Sequence, residues 1–306
     1  MSATTHNEPA FTDLVQRLSR QSVDKKHDAY EDVAWDSPEM ALYPTDPRHE
    51  LWPFDPLAAT AWYQALPVDD RARLGLHRLS AVMKTGWHFE NLLQRGLLDY
   101  STRLPNGDPA FRYLHHEIIE ESQHTLMFQE FVNRTGLPIR GMPRPLLYMA
   151  ERVVLPLPRL FPELFFMFVL GGEDPVDHIQ KRQLREGTPH PLTERIMRIH
   201  VTEEARHLSY ARQYLKTSVP KLGFVRRHIM AIAVPIVFGI MAPLMVAPST
   251  EMRRAGVPWK VLWEARTSPA YRSLLKDSVH KPRRLAEDLG LMTALGRRLW
   301  KRMGLA

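Results

Sequence analysis

No cysteine occurs anywhere in the 306 residues. Disulfides, zinc–thiolate sites, iron–sulfur clusters and cysteine nucleophiles are therefore excluded, and any metal must be held by His, Asp or Glu. A Gly-rich phosphate loop, a Gly-x-Ser-x-Gly elbow and a dinucleotide fingerprint are also missing, which removes the enzyme classes built on those turns. The net charge is +7. Its excess sits late, in Lys281, Arg283, Arg284, Arg297, Arg298, Lys301 and Arg302. With no nucleic-acid motif beside it, this reads as a solvated helix face, and no nucleic-acid partner is expected. Met1–Ala10 is polar, with no apolar segment behind it. A secretory signal is not evident, and a cytoplasmic protein is expected.

What the chain does contain is one organising stretch, His200-Val201-Thr202-Glu203-Glu204-Ala205-Arg206-His207. Residues three and four apart share a helix face, so His200, Glu204 and His207 project from one stripe. That stripe continues through Ile196, Met197, Leu208, Ala211 and Leu215, and so should turn into a core. Buried imidazole and carboxylate need partners, and a metal ion is one way of supplying them. The plainer reading is an exposed, salt-bridged helix, with Glu203 and Arg206 beside the stripe. A second unit upstream, Glu121-Ser122-Gln123-His124, favours the metal. Two Glu-x-x-His units plus a lone Glu from each of two more helices is the di-metal carboxylate arrangement of ferritin-like bundles.

The remaining helices follow from the periodicity. Residues 1–70 read as an arm wrapping the domain, with short helices near Phe11–Gln21 and Pro56–Leu66; residues 71–306 form the helical domain. Asp70–Tyr100 is the first long helix, and Glu90 lies within its apolar stripe of Met83, Trp87, Leu93 and Leu97, so it needs a buried Arg or a cation. Ala110–Asn133 is the second, carrying Glu121 and His124, with Glu117 and Glu120 as close alternatives to Glu121. Gly136 and Pro138 end it. Prolines at 138, 143, 145, 156, 158 and, just beyond, 162 mark one long crossover. In the third helix Gly171-Gly172 and Pro175 demand a kink or a restart, so Glu173 is either a ligand at a bend or an acid opening a helix Asp174–Arg185. Glu90 to Glu121 and Glu173 to Glu204 are both 31 residues apart, as two equivalent halves around one centre would be. The fourth helix is Pro191–Ser218, and Pro258–Ala306 reads as two or three short amphipathic helices closing the bundle.

Between these lies Ile229–Pro248, 20 residues without a charge. That length can span a bilayer. Internal Pro235, Gly239 and Pro243, with basic pairs on both sides, favour a buried helix or a subunit contact instead.

Roughly residues 85–215, most strongly His200–His207, resemble the para-aminobenzoate N-oxygenase family of non-haem di-iron arylamine oxygenases. His200 stands where that family has an extra, seventh ligand one turn before its last Glu-x-x-His. The resemblance implies an all-α, ferritin-like four-helix bundle with one crossover. It also implies two iron ions held by Glu90, Glu121, His124, Glu173, His200, Glu204 and His207. O₂ and an external reductase would be co-substrate and electron donor, an aromatic amine or similar small molecule the substrate, and the protein a homodimer. Two other readings are a metal-storage bundle without turnover and a membrane-associated di-iron hydroxylase or desaturase. The His-rich boxes typical of the latter are replaced here by Glu-x-x-His units.

Overall fold

A computed structural model describes residues 9–306, so most of the polar opening Met1–Ala10 lies outside the described residues. Among the described residues the regular structure is helical throughout, with no strand. In chain order the helices are α1 (Pro9–Asp24), α2 (Ala61–Gln64), α3 (Val68–Ser101), α4 (Pro109–Thr135), α5 (Arg144–Val154), α6 (Leu157–Leu160), α7 (Pro162–Glu186), α8 (Pro191–Ser218) and α9 (Phe224–Val246). Four short ones follow: α10 (Trp259–Thr267), α11 (Pro269–Ser278), α12 (His280–Asp288) and α13 (Ala294–Arg302).

The bundle consists of α3, α4, α7 and α8, with α3 laid along α4 and α7 along α8. Local chemistry sets their ends. Asp108 caps α4 by accepting from the Ala110 N–H at 2.9 Å, Pro109 opens it, and Gly136 closes it in the left-handed conformation at φ 64°. Helix α8 opens on Pro191 with His190 as its cap and carries Lys216 in its last turn, where the helix dipole favours a cation. The crossover between the two halves holds α5 and α6.

Three expectations are corrected. The third helix neither breaks nor restarts: α7 runs unbroken through Gly171, Gly172 and Pro175, which places Glu173 in a helix interior and removes the reading of it as an opening acid. The glycines serve packing. A Cβ on Gly172 would stand 1.9 Å from Phe89 Cζ, so α3 and α7 approach too closely there for any side chain. Pro56–Leu66 forms only the single turn α2, because Thr60 caps at Tyr63 and the preceding chain is a series of turns. The C-terminal part has four helices rather than two or three, since Ser268 and Thr293 each start a new one by capping.

Helix α9 buries one face, including Met230, Val234, Phe238, Met241 and Met245, against α7 and α13. The stretch Phe224–Arg253 is long and apolar enough to cross a membrane by length and composition, and half of its most apolar window is buried. The N-terminal segment crosses the bundle: α1 packs on α4 and α8, and further along the Ala29 N–H donates to Gln123 Oε1 at 2.8 Å.

Gly172→Ala should lower the unfolding free energy by about 1–3 kcal/mol, the usual cost of overpacking. Gly171→Ala, whose nearest neighbour would be Val237 Cγ1 at 3.1 Å, should cost less. Urea unfolding of the two variants checks the order; equal stability would contradict the close-approach argument.

Candidate metal centre

At the middle of the bundle Glu90 (α3), Glu121 and His124 (α4), Glu173 (α7), and His200, Glu204 and His207 (α8) meet, each no more than 2% exposed. Their donor atoms form overlapping triads, each within 4.8 Å: Glu90, His124 and His200; Glu173, His200 and Glu204; Glu121, His124 and Glu204; Glu90, Glu121 and Glu173. Glu121 and Glu204 stand centrally. Glu121 lies 3.2 Å from His124 Nδ1 and 2.9 Å from His207 Nδ1, and Glu204 lies 3.5 and 3.2 Å from the same two atoms. His200 Nε2 is 3.6 Å from Glu90 and 3.8 Å from Glu204. The buried Arg considered for Glu90 is not its partner; other acids and His200 are.

All three neighbouring acids of α4 are buried, each facing differently. Glu117 forms a further triad with Glu121 and His207. Glu120 reaches the other side of His207, with Oε2 2.7 Å from Nε2, while its Oε1 accepts from Arg206 at 2.8 Å. Glu203 does the same for His124, at 2.9 Å from Nε2, and also meets His27 of the N-terminal segment at 2.9 Å. Each of these imidazoles thus turns Nδ1 to the cluster and Nε2 to a carboxylate on the opposite helix. Donation from Nε2–H leaves the Nδ1 lone pair free for a cation, the usual outer support of a metal-binding His. Sequence reasoning placed Glu203 and Arg206 beside the stripe and missed this role. The signal lay in the doublets Glu120-Glu121-x-x-His124 and Glu203-Glu204-x-x-His207, where the first acid of each pair supports the other helix's His.

Electrostatics describe a site short of positive charge. Burial lifts the Glu90 carboxyl well above its usual range, with Glu121 and Glu173 adding to it. Glu173 is raised in the same way, by burial and then by Glu204 and Glu121. Burial also pushes Glu117 up to about 8. Burial opposes ionisation of Glu121 too, yet a hydrogen bond from Glu90 and the facing His207 hold it well below its usual value. His124, despite burial, is raised to about 10 by hydrogen bonds to Glu121 and Glu203, whereas burial and His124 lower His200 to about 4. Protons stand in for cations here. Among the described residues no hydrogen bond reaches Glu90 Oε2, Glu173 Oε1, Glu204 Oε2 or His200 Nδ1. These unpaired buried atoms, and a donor set of carboxylate oxygen and imidazole nitrogen, fit iron or manganese. Two divalent ions would also balance the four carboxylates of Glu90, Glu121, Glu173 and Glu204.

A cavity of about 90 Å³ leads to this cluster. Glu90, Glu173, His200 and Phe128 line its buried end, and Arg48, Glu50 and Trp52 line the side nearer solvent.

Three outcomes follow. Glu120→Gln and Glu203→Gln should each weaken ferrous-ion binding about 10–100-fold with helix content unchanged, read by competition with a chelator. The raised values of Glu90 and Glu173 mean stability lost as pH climbs above their unfolded range; His124, and His207, which the carboxylates of Glu204 and Glu121 hold well above its usual value despite burial, give stability complete below about 6.5 and lost as pH rises towards the folded values. Both run the same way. Metal-free protein should melt lower at about pH 8.5 than at about pH 6.5, and ferrous-ion binding should release protons, counted by calorimetry in buffers of different ionisation enthalpy; uptake of protons would contradict the charge account.

Residues 8–290 match the family described as p-aminobenzoate N-oxygenase AurF. Relatives from Mycobacterium tuberculosis (strain CDC 1551 / Oshkosh) and Mycobacterium bovis (strain ATCC BAA-935 / AF2122/97) carry only the description of uncharacterized proteins. Each is 40% identical over 294 residues, covering 95% of this chain and 86% of the relative. With the match spanning all four helices that hold the buried acids and imidazoles, the chain belongs to the p-aminobenzoate N-oxygenase AurF family.

Proposed function

We propose that this protein is a non-haem di-iron oxygenase that uses O₂ to oxidise a small organic substrate, with the nitrogen of an aromatic amine as the favoured target. The observation that carries the reading is the cavity ending on Glu90, Glu173 and His200. A cluster of unpaired carboxylate and imidazole atoms reached by a cavity is the layout of a site that admits a co-substrate and a substrate. A storage bundle needs a route for ions only, and the apolar lining of Met83, Phe89, Phe128 and Met197 suits an organic molecule better.

Glu90, Glu121, His124, Glu173, His200, Glu204 and His207 are the residues that would hold the iron, and Glu117 stands next to them as a buried acid. The bound iron pair would supply the redox capacity to activate O₂ with electrons from an external reductase. Overall, an arylamine, O₂, two electrons and two protons give the hydroxylamine and water. The chain's own residues do the rest. Glu203 and Glu120 hold the His124 and His207 rings in one orientation, and Arg206 anchors Glu120. Phe89, Phe128 and Met197 narrow the inner cavity and keep bulk water from the reacting end. Glu117, protonated up to about 8 and set against His207, can hold a proton beside the cluster.

The test is reconstitution with ferrous ion, metal analysis, and product detection by mass spectrometry under ¹⁸O₂. The expected result is about two irons per chain and label in an oxidised arylamine, with Glu121→Gln lowering product formation on the order of 100-fold or more. Iron bound without any O₂-dependent organic product would sink the oxygenase reading.

A further inference from the structure

The wall of the cavity beyond the cluster says what kind of molecule it admits. Three helices supply one stripe each. From α8 come His200 and Thr193, from α7 Glu173 and Gln180, and from α3 Glu90 and Gly86. At about 1.5 Å per residue, Thr193 lies about 10 Å along α8 from His200, and Gln180 about 10 Å along α7 from Glu173. Only residues 187–190 separate the two helices, so they run back to back and these two positions fall at the same level. His49 of the N-terminal segment lines the same cavity and stacks on His190, the residue capping α8, with ring centroids 4.8 Å apart.

Four polar atoms of this outer ring have no hydrogen-bond partner among the described residues. Both ring nitrogens of His49, Oγ1 of Thr193 and Oε1 of Gln180 are buried without a hydrogen bond, on side chains of residues only 5%, 2% and 7% exposed. Buried polar atoms are costly when left unpaired, so three residues converging on one cavity point to a ligand that satisfies them. All three are uncharged: burial takes His49 down to about 4.

The charged groups on the wall are, by contrast, already neutralised. Arg78 directs Nε to Asp55 at 3.3 Å and a second nitrogen to the Val246 carbonyl at 3.0 Å. Arg48 grips Asp46, and Glu50 pairs with Arg71 at 3.2 Å. A carboxylate entering the cavity would meet no uncommitted cation and would face the acids of the cluster, whereas burying a charge requires a partner.

We propose that the cavity takes an uncharged amine whose far end carries a neutral hydrogen-bonding group, a carboxamide or hydroxyl held by His49, Thr193 and Gln180, and that it discriminates against the carboxylate of an aminobenzoate. The identity of the reacting end rests on the oxygenase reading; the neutrality of the far end rests on the wall alone.

The experiment compares 4-aminobenzamide with 4-aminobenzoate as ligands of the full-length, ferrous-loaded protein under anaerobic conditions, by calorimetric titration near neutral pH. Binding of the amide at least tenfold tighter is expected, with Thr193→Val and Gln180→Leu each reducing amide affinity several-fold at unchanged iron content. Equal or tighter binding of the benzoate, no saturable binding of the amide, or amide affinity indifferent to both substitutions would overturn the proposal. Turnover in air is scored separately. Tight, selective amide binding with no oxidised product would keep the selectivity of the wall and remove the oxygenase reading instead.

Discussion

Four carboxylates within a few ångströms of one another in a dry interior repel strongly, and the fold is arranged around containing that repulsion. Glu90, Glu121, Glu173 and Glu204 come one from each helix of the bundle. In water the same groups would separate and ionise freely. Here the buried ring of Phe89 of α3, packed on the bare backbone of Gly172 one residue from Glu173, makes separation of α3 and α7 cost buried apolar area. The repulsion is then met by protons on Glu90 and Glu173 and by the imidazoles of His124 and His207, all positions a pair of cations can take over.

The next layer repeats the logic with approximate twofold symmetry. Glu203 on α8 holds His124 on α4, and Glu120 on α4 holds His207 on α8. The symmetry ends at the periphery. Arg206 pairs with Glu120 at 2.8 Å and with Glu203 at 3.6 Å, while Glu203 also meets His27 of the N-terminal segment at 2.9 Å. The same segment passes over the bundle to supply His49 and Trp52 to the cavity wall.

Much of this could be read from spacing. The stripe through His200, Glu204 and His207 set in apolar residues gave the right helix and the right face, and α8 has the expected limits, Pro191 and Ser218. Glu90 inside an apolar stripe was a sound sign of a buried partner, and the fold brings all seven named residues together. The same logic failed where local and tertiary preferences conflict. Gly171, Gly172 and Pro175 each disfavour a helix, yet the gain from packing α7 on α3 and α9 keeps it continuous, so the glycines mark a close approach and no break. Glu203 and Arg206 look like a solvated pair on any helical wheel. They are buried because the N-terminal segment and α4 cover that side, a contact between residues far apart in sequence. The outer ring of His49, Gln180 and Thr193 was equally invisible, since three neutral side chains on three separate segments share no periodicity.

The cavity is assembled from two kinds of chain. Its inner end belongs to helices whose spacing is tied to the buried acids, and its outer side belongs largely to the turns of residues 48–55, which hold none of them. Divergence can therefore act on the two independently. A descendant sequence can re-tailor the outer wall by rewriting a few residues of these turns and the helix positions Gln180 and Thr193, about two turns from the buried cluster, while the cluster itself stays under undiminished selection.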